Sequence, residues 1–142
     1  MTLIWKALYD KLVGDATLVD LLKHTSNFLM IQRGINAQKI PFSETRTEGV
    51  TFREWTAKKE GKGETSLRDI TIMISSYSRK NDYYADVVNE RIIIILDGVK
   101  ITNDDLLCYH SEWDGFATPT YWDEESNAWR IDSRFRFIVA KK

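Results

Sequence analysis

Cysteine and histidine are scarce in this 142-residue sequence. Cys108 is the single cysteine, and His24 and His110 are the two histidines. One cysteine excludes an internal disulfide, and it cannot form a cysteine-based zinc site on its own. The histidines lie far apart, and neither has a second histidine or cysteine at metal-ligand spacing. The sequence therefore predicts a reduced intracellular protein with a buried thiol and with no metal site.

Long apolar runs and a strong net charge are also missing. The longest apolar run, Ile92–Leu96, is far shorter than the roughly 20 residues that a membrane span requires. The N-terminal segment carries Lys6, Asp10 and Lys11 and lacks the apolar core of a signal peptide. A formal net charge of −1 provides no overall field that would attract nucleic acid. We therefore expect a soluble, cytoplasmically made protein with no membrane partner and no specific nucleic-acid partner.

The remaining composition is typical of one globular domain. Two prolines and seven glycines are too few for a fibrous or disordered chain, and hydrophobic residues make up 43% of the sequence. No linker, internal repeat or low-complexity segment divides the chain. We therefore predict a single domain over residues 1–142, which is enough chain to enclose one core.

The periodicity of apolar residues predicts nine elements in the order helix, helix, three strands, helix, three strands. The helices are expected at 3–13, at 17–23 with Thr17 as the cap, and from Asn81 or Asp82 to about Leu96; the strands are expected at 28–33, 50–57, 68–77, 106–113, 120–123 and 129–139. The β-branched run Ile92–Ile95 leaves a strand as the competing interpretation of the third helix. Pro41 blocks a helix and suits an edge or a strand start. The predicted fold class is α+β, with a mostly antiparallel sheet and helices packed on one face.

Carboxylates cluster in two places without forming a recognisable catalytic site. Asp104 and Asp105 are adjacent, Asp123–Glu125 form a second group, and Asp114 lies between them. Paired carboxylates can serve acid–base chemistry or hold a divalent cation, but both clusters fall in predicted turns, where acidic residues are commonly solvated. The chain also lacks a nucleophile elbow and a phosphate-binding glycine loop. We therefore expect no catalytic, metal-binding or cofactor-binding residues, and no enzymatic activity.

A basic patch is predicted at the first hairpin loop, the polar and glycine-bearing segment 58–66. The patch is suited to contact with nucleic acid or an acidic partner, or to ordering on assembly. A solvated loop tip is the third interpretation, because Glu60 and Glu64 interrupt the positive charge. The candidate contact residues to a partner or a second subunit are Lys58, Lys59, Lys62 and Arg68.

The last predicted strand has one apolar and one charged face. Ile131, Phe135, Phe137 and Val139 alternate with Arg130, Asp132, Arg134 and Arg136. A face with three arginines cannot be buried in apolar surroundings without partners, because an unpaired buried charge is too costly. The arginine face is therefore expected to contact either solvent or the carboxylates of another subunit. Arg130, Arg134 and Arg136 are candidate subunit or partner contacts on this basis.

Aromatic residues reach 12% of the sequence, and five of them are tryptophans. This content is generous for the chain length, and some aromatics are expected at an interface rather than in the core. Trp113, Trp122 and Trp129 fall in the last three predicted strands, where stacking across neighbouring strands is favourable.

Several segments together resemble a known family. Leu8–Leu18 is a short helix, a glycine–aspartate break and the start of a second leucine-rich turn. Ile40–Phe42, a central strand and the helix Tyr84–Arg91 follow, and that helix ends in Leu96-Asp97-Gly98. With the closing strand Phe135–Val139, this order resembles the tail-terminator, or tail-completion, family of head–tail joining proteins of long-tailed phages. The likeness spans nearly the whole chain and rests on element order and apolar positions rather than on an invariant motif.

The resemblance implies a structural assembly protein. A member of that family would form a homo-oligomeric ring, usually a hexamer, on the head-proximal end of the tail tube. The ring would stop polymerisation of the tail tube protein and present a surface to the head-completion (stopper) protein. It would lie in the virion at the tail–head junction after being made in the host bacterial cytoplasm. Each ring subunit needs two different contact faces, for which the arginine face, exposed aromatics and the loop 57–67 are candidates.

Two other classes of function stay open at the level of sequence. The first is a small ligand-binding or enzymatic α+β domain with a pocket under the sheet, which should bring convergent polar groups into a cavity. The second is a nucleic-acid-associated protein that uses the basic loop, which should bind DNA in a salt-dependent way. The sequence offers no convergent polar set for the first, and its near-neutral charge disfavours the second.

Overall fold

In the part of the chain that the structure describes, three helices and six strands follow one another in the predicted order. The computed structural model describes residues 2–23, 29–60 and 67–142, so His24 and Lys62 lie outside the described residues. The elements are α1 (Thr2–Val13), α2 (Ala16–Leu22), β1 (Ile31–Arg33), β2 (Glu48–Glu60), β3 (Leu67–Ser78), α3 (Asp82–Leu96), β4 (Leu106–Ala117), β5 (Tyr121–Asp123) and β6 (Ala128–Lys141). The element order and the α+β class are confirmed, and the residue bounds are corrected in several places below.

The helix ends show why these segments fold where they do. The Asn81 side chain accepts a hydrogen bond from the Tyr84 amide at 3.0 Å and so caps the start of α3. Asp15, rather than the predicted Thr17, caps α2, because its carboxylate accepts from the Leu18 amide at 2.9 Å. Helix α2 therefore begins at Ala16, and Thr17 lies inside its first turn.

The helical interpretation of the Ile92–Ile95 run is confirmed. Ile92, Ile95 and Leu96 are buried, whereas Ile94 is 63% exposed, and this spacing fits a helix with one face on a core. Helix α3 packs across β3 and β6, the two central strands of the sheet. Tertiary packing of this amphipathic face outweighs the modest strand preference of β-branched residues.

The sheet has the strand order β1-β2-β3-β6-β4, and β5 pairs with β6 beyond the end of β4. All pairs are antiparallel except β1 with β2, which is parallel. Ile72 of β3 lies opposite Phe135 of β6, and Trp113 of β4 lies opposite Phe135 on the other side. Because side chains alternate along a strand, this row faces the helices, and the arginines of β6 lie on the second face.

One predicted irregular segment is corrected by the strand bounds. Residues 58–60 were predicted to be a loop, but β2 continues through Glu60, with Lys58 opposite Asp69 and Lys59 opposite Arg68. The ladder continues because β2 and β3 stay in register past the irregularity between Glu54 and Thr56. Residues 61–66, the rest of the predicted loop, lie outside the described residues.

The other corrections concern strand ends. Strand β4 extends past the predicted end at Trp113 to Ala117, through a register irregularity that includes Gly115 with φ +89°. The segment Ile40–Phe42, predicted to start a strand, is irregular instead. The first predicted strand begins at Ile31, and residue 28 lies outside the described residues. The hairpin turn 123–127 is confirmed, since Asp123 pairs with Ala128 across it.

The irregular segment 34–47 covers one end of the second sheet face. Its Ala37 amide donates to Ser126 Oγ at 2.9 Å, and Arg53 of β2 donates to the Ile35 carbonyl at 3.3 Å. Ile40 packs so closely on Gly49 that a Cβ built there would lie 2.8 Å from the Ile40 Cδ1 atom. A side chain at position 49 would therefore require Ile40 to shift. Segment 34–47 thus divides the second face into a covered end and an open end.

Within the described ranges 2–23, 29–60 and 67–142, no helix is both long and apolar enough to cross a membrane.

Candidate assembly surface

The three arginines of β6 lie on the second face of the sheet, opposite the helices. Register places Arg130 beside Tyr77, Arg134 beside Met73 and Arg136 beside Thr71 of β3. Arg130 is at the end that segment 34–47 covers, and the other two are at the open end. The same row of arginines therefore meets two different environments.

Arg130 is buried and is bound entirely by groups of its own chain. It is 7% exposed, and its Nε donates to Asp132 Oδ1 at 2.8 Å while Nη1 donates to Asp123 Oδ2 at 2.9 Å. Its Nη2 donates to Ser75 Oγ at 3.1 Å, and its guanidinium lies 5.3 Å from the centre of the Tyr77 ring. All three guanidinium nitrogens thus have a partner, which is what allows a charge to be buried.

The expectation that the arginine face meets solvent or another subunit is therefore wrong for Arg130. Its carboxylates come from Asp132, two residues along the same strand, and from Asp123, across the β5–β6 hairpin. The predicted hairpin turn and the predicted alternation of β6 are enough to place both carboxylates near Arg130. We therefore do not assign Arg130 to a contact surface.

The Asp123 carboxylate beside Arg130 is held in the charged form. Burial by itself raises the pKa of Asp123, but hydrogen bonds from Ser126 and Arg130 outweigh it and hold the pKa below its ordinary value of 3.8. Tyr121 donates its hydroxyl hydrogen to Asp132 Oδ2 at 2.8 Å, and burial, with that bond, raises the pKa of Tyr121. The phenol therefore stays neutral, and this cluster works as a fixed structural ion pair.

Arg134 and Arg136 are partly exposed and also meet carboxylates of the same chain. Arg136 binds Asp69 with two hydrogen bonds, of 2.9 and 2.7 Å, and lies 3.8 Å from Glu112. Arg134 bonds Asp114, and its guanidinium lies 4.8 Å from the centre of the Phe116 ring. The Arg134 side chain is 37% exposed and the Arg136 side chain is 43% exposed, so these ion pairs stay accessible to a partner. A role in subunit or partner contact stays a prediction for both.

The predicted basic patch is only partly described. Lys58 and Lys59 lie at the end of β2, and Arg68, which is partly exposed, lies at the start of β3. The register brings Arg68 opposite Lys59, so strand pairing places these residues at one end of the sheet. Their contact with a partner is a prediction.

An open groove of about 280 Å³ lies between α1 and α3 rather than under the sheet. Its lining includes Arg91 and Asp15, which bind each other through two hydrogen bonds of 2.8 and 2.7 Å. The hydrogen bond to Arg91 is the main reason that the pKa of Asp15 is lowered. These polar groups satisfy one another instead of converging on a ligand, which differs from the pattern of a binding pocket.

No group of three or more histidine, cysteine, aspartate or glutamate residues that could hold a metal ion occurs in the described part of the chain. His110 instead lies 3.1 Å from Glu112, and Cys108 is buried, as predicted.

Aromatic side chains are concentrated at the β4–β5 edge of the sheet. Trp122 and Trp129 contact edge to face with ring centres 5.5 Å apart, which confirms stacking across β5 and β6. Trp113 is not part of this pair, and its indole N–H donates to the Phe116 carbonyl at 2.9 Å. The outer side of β4 pairs with no strand that the structure describes. Exposed apolar side chains along this edge are Leu107, Tyr109, Phe116, Tyr121 and Trp122.

Comparison with solved structures gives a likeness over the whole chain. The protein superposes on a chain from the virion of a native gene transfer agent particle with a TM-score of 0.72. The alignment covers 96% of this chain and 93% of that chain, with 16% sequence identity. At this identity the likeness shows a shared fold. No protein-family model matches the sequence, and no curated protein is significantly similar to it.

Proposed function

We propose that this chain is a structural protein of a phage-like particle. The observation that carries the proposal is the shared fold, over nearly the full length of both chains, with a component of a gene transfer agent virion. Local chemistry is consistent with it, because the three β6 arginines of the second sheet face form ion pairs within the chain. The proposal assigns no enzymatic activity and no cofactor to the protein.

Within such a particle we assign the chain the role of tail terminator. The basis is the resemblance of its sequence to tail-completion proteins, together with the element order α1–β6 that the resemblance requires. In this role copies of the chain form a ring, a hexamer by the resemblance, on the head-proximal end of the tail tube. The ring caps the tail tube protein and joins it to the head-completion protein. The protein is made in the host bacterial cytoplasm and ends at the tail–head junction.

The test is electron microscopy of particles produced after deletion of this gene from its parent element. We expect overlong tail tubes, or tails of normal appearance that are not attached to filled heads. Supplying the intact gene in trans should restore joined particles, which controls for effects on neighbouring genes. Normal, infectious particles in the deletion would contradict the proposed role.

A further inference from the structure

The connection between α3 and β4 folds back along the outer side of β4. Residues 97–103, which we name the edge strap, run antiparallel to that strand, because Asp97 bonds Trp113 and Asn103 bonds Leu106. Strand β6 pairs with the other side of β4. The edge strap therefore lies where a further strand would otherwise join the sheet.

Two side chains of the edge strap take the place of backbone acceptors. The Trp113 amide donates to Asp97 Oδ1 at 3.0 Å, and the Cys108 amide donates to Thr102 Oγ1 at 3.1 Å. Amide directions alternate along a strand, so amides that point away from β6 need an acceptor from outside the ladder between β4 and β6. We call the amides of Trp113 and Cys108 the two capped amides, because the edge strap supplies their acceptors.

Backbone bonds and one buried side chain hold the edge strap in place. The Gly98 amide donates to the Ser111 carbonyl at 2.8 Å, and the Asn103 amide donates to the Leu106 carbonyl at 3.1 Å. Ile101 is 3% exposed and belongs to the hydrophobic core. The edge strap is therefore a fixed part of the fold, because Ile101 would have to leave the core before the strap could leave β4.

The strand beneath the edge strap has a composition that favours association. Leu106–Ser111 contains no proline, no glycine and no formal charge with His110 neutral, and Leu107 and Tyr109 are exposed. Short uncharged segments of this kind pair with other chains when they lie on an open edge. Soluble proteins commonly protect such an edge with lysine or proline, but β4 contains neither over its 12 residues.

The β1–β2 side of the sheet is protected by its own residues. Strand β1 covers β2 only at Val50–Phe52, and β2 then has an irregularity between Glu54 and Thr56, followed by Lys58 and Lys59. Irregular pairing and lysine both disfavour the addition of a strand. Strand β4 also has an irregularity but lacks lysine, so its protection depends on the edge strap.

We infer that the edge strap is a built-in cap that prevents Leu106–Ser111 from pairing with another chain. The cap acts through Asp97 and Thr102, whose oxygen atoms occupy the two capped amides. It keeps β4 from extending the sheet into a second molecule while copies of the chain are free in solution. The inference does not rest on the proposed function, so failure of the gene-deletion experiment would leave it unchanged.

Removal of the two side-chain acceptors tests the inference in the purified full-length protein. The cap variant carries Asp97→Ala and Thr102→Val, and the control carries the same two changes outside the edge strap, Asp104→Ala and Thr120→Val. Hydrogen exchange followed by NMR measures the two capped amides. Sedimentation velocity and thioflavin T fluorescence measure association and cross-β pairing, and circular dichroism measures the fold of each protein.

We expect the two capped amides to exchange on the order of tenfold faster in the cap variant, because each has lost its acceptor. The cap variant should also form species larger than those of the wild-type protein and should gain thioflavin T fluorescence. The control should match the wild-type protein in all three measurements. Adding Tyr109→Lys to the cap variant should reverse the association, since lysine on an edge strand disfavours pairing with another chain.

Three results would overturn the inference. Unchanged exchange would show that the two side chains do not protect these amides. Faster exchange without added association would show that an open β4 edge does not pair with another chain. Association that Tyr109→Lys leaves unchanged would assign the contact to a different surface. If circular dichroism shows that the cap variant is unfolded, the single variants Asp97→Ala and Thr102→Val are measured instead and judged by the same outcomes.

Discussion

Replacing Arg130 by methionine is expected to lower the free energy of unfolding by about 3–5 kcal/mol, the range for breaking a buried ion pair on one side. Methionine is similar in length and fills the space, so the loss comes from charge rather than from a cavity. The half-buried Asp123 and the buried Asp132 would stay in place without the guanidinium that now binds both. Chemical denaturation of the two proteins at neutral pH measures the difference.

Arg134→Met is the matched control, because it removes the same side chain from the same face of the same strand. The Arg134 side chain is 37% exposed, and surface ion pairs of this kind contribute about 0–1 kcal/mol. Equal losses in the two variants would contradict the assignment of Arg130 as a buried structural ion pair.

The loss of unfolding free energy caused by Arg130→Met should also become smaller as the pH is lowered. The folded-state pKa of Asp123 is held below 3.8, so its contribution to stability is present above that value and is lost as pH falls through the folded pKa. Without Arg130 that contribution is absent at neutral pH. The difference in the free energy of unfolding between the wild-type protein and Arg130→Met should therefore become smaller as pH falls toward 3.8 and below.

A second large loss is expected for Phe135→Ala. Phe135 has no exposed surface and lies between Ile72 of β3 and Trp113 of β4 under the helices. Truncation removes buried apolar surface and leaves a cavity in a sheet that can relax little, which typically costs about 3–5 kcal/mol. Thermal and chemical unfolding measure the change.

Phe116→Ala provides the comparison for the core substitution. Phe116 is 40% exposed at the end of β4 and contacts the Arg134 guanidinium. We expect a loss within about 1 kcal/mol, because Phe116 is already 40% exposed to water and its truncation leaves no enclosed cavity. A loss as large as that of Phe135→Ala would show that the 113–117 part of β4 packs more tightly than its exposure indicates.

The order of elements was predictable because local signals bracket each one. Asn81 and Gly98 delimit α3, and the apolar alternation of Ile131–Val139 identifies β6 as a strand with one buried face. The cap of α2 was misassigned because Asp15 and Thr17 are both good capping residues, and only the backbone conformation distinguishes them. Local sequence therefore indicates the existence of an element better than its ends.

The environment of the arginine face was less predictable because it depends on long-range strand pairing. Asp69 reaches Arg136 only through the pairing of β3 with β6, and Glu112 reaches it only through the register of β4. Neither pairing is encoded in the spacing of residues along one strand. The two carboxylate partners of Arg130 are nearer in sequence, because Asp132 lies on the same strand and Asp123 lies across the predicted β5–β6 hairpin.

Cryo-electron microscopy of intact particles from the parent element tests the central claim most directly. We expect density for this chain as a closed ring between the end of the tail tube and the head. A particle that lacks the chain, or that carries it away from the tail–head junction, would contradict the proposed role.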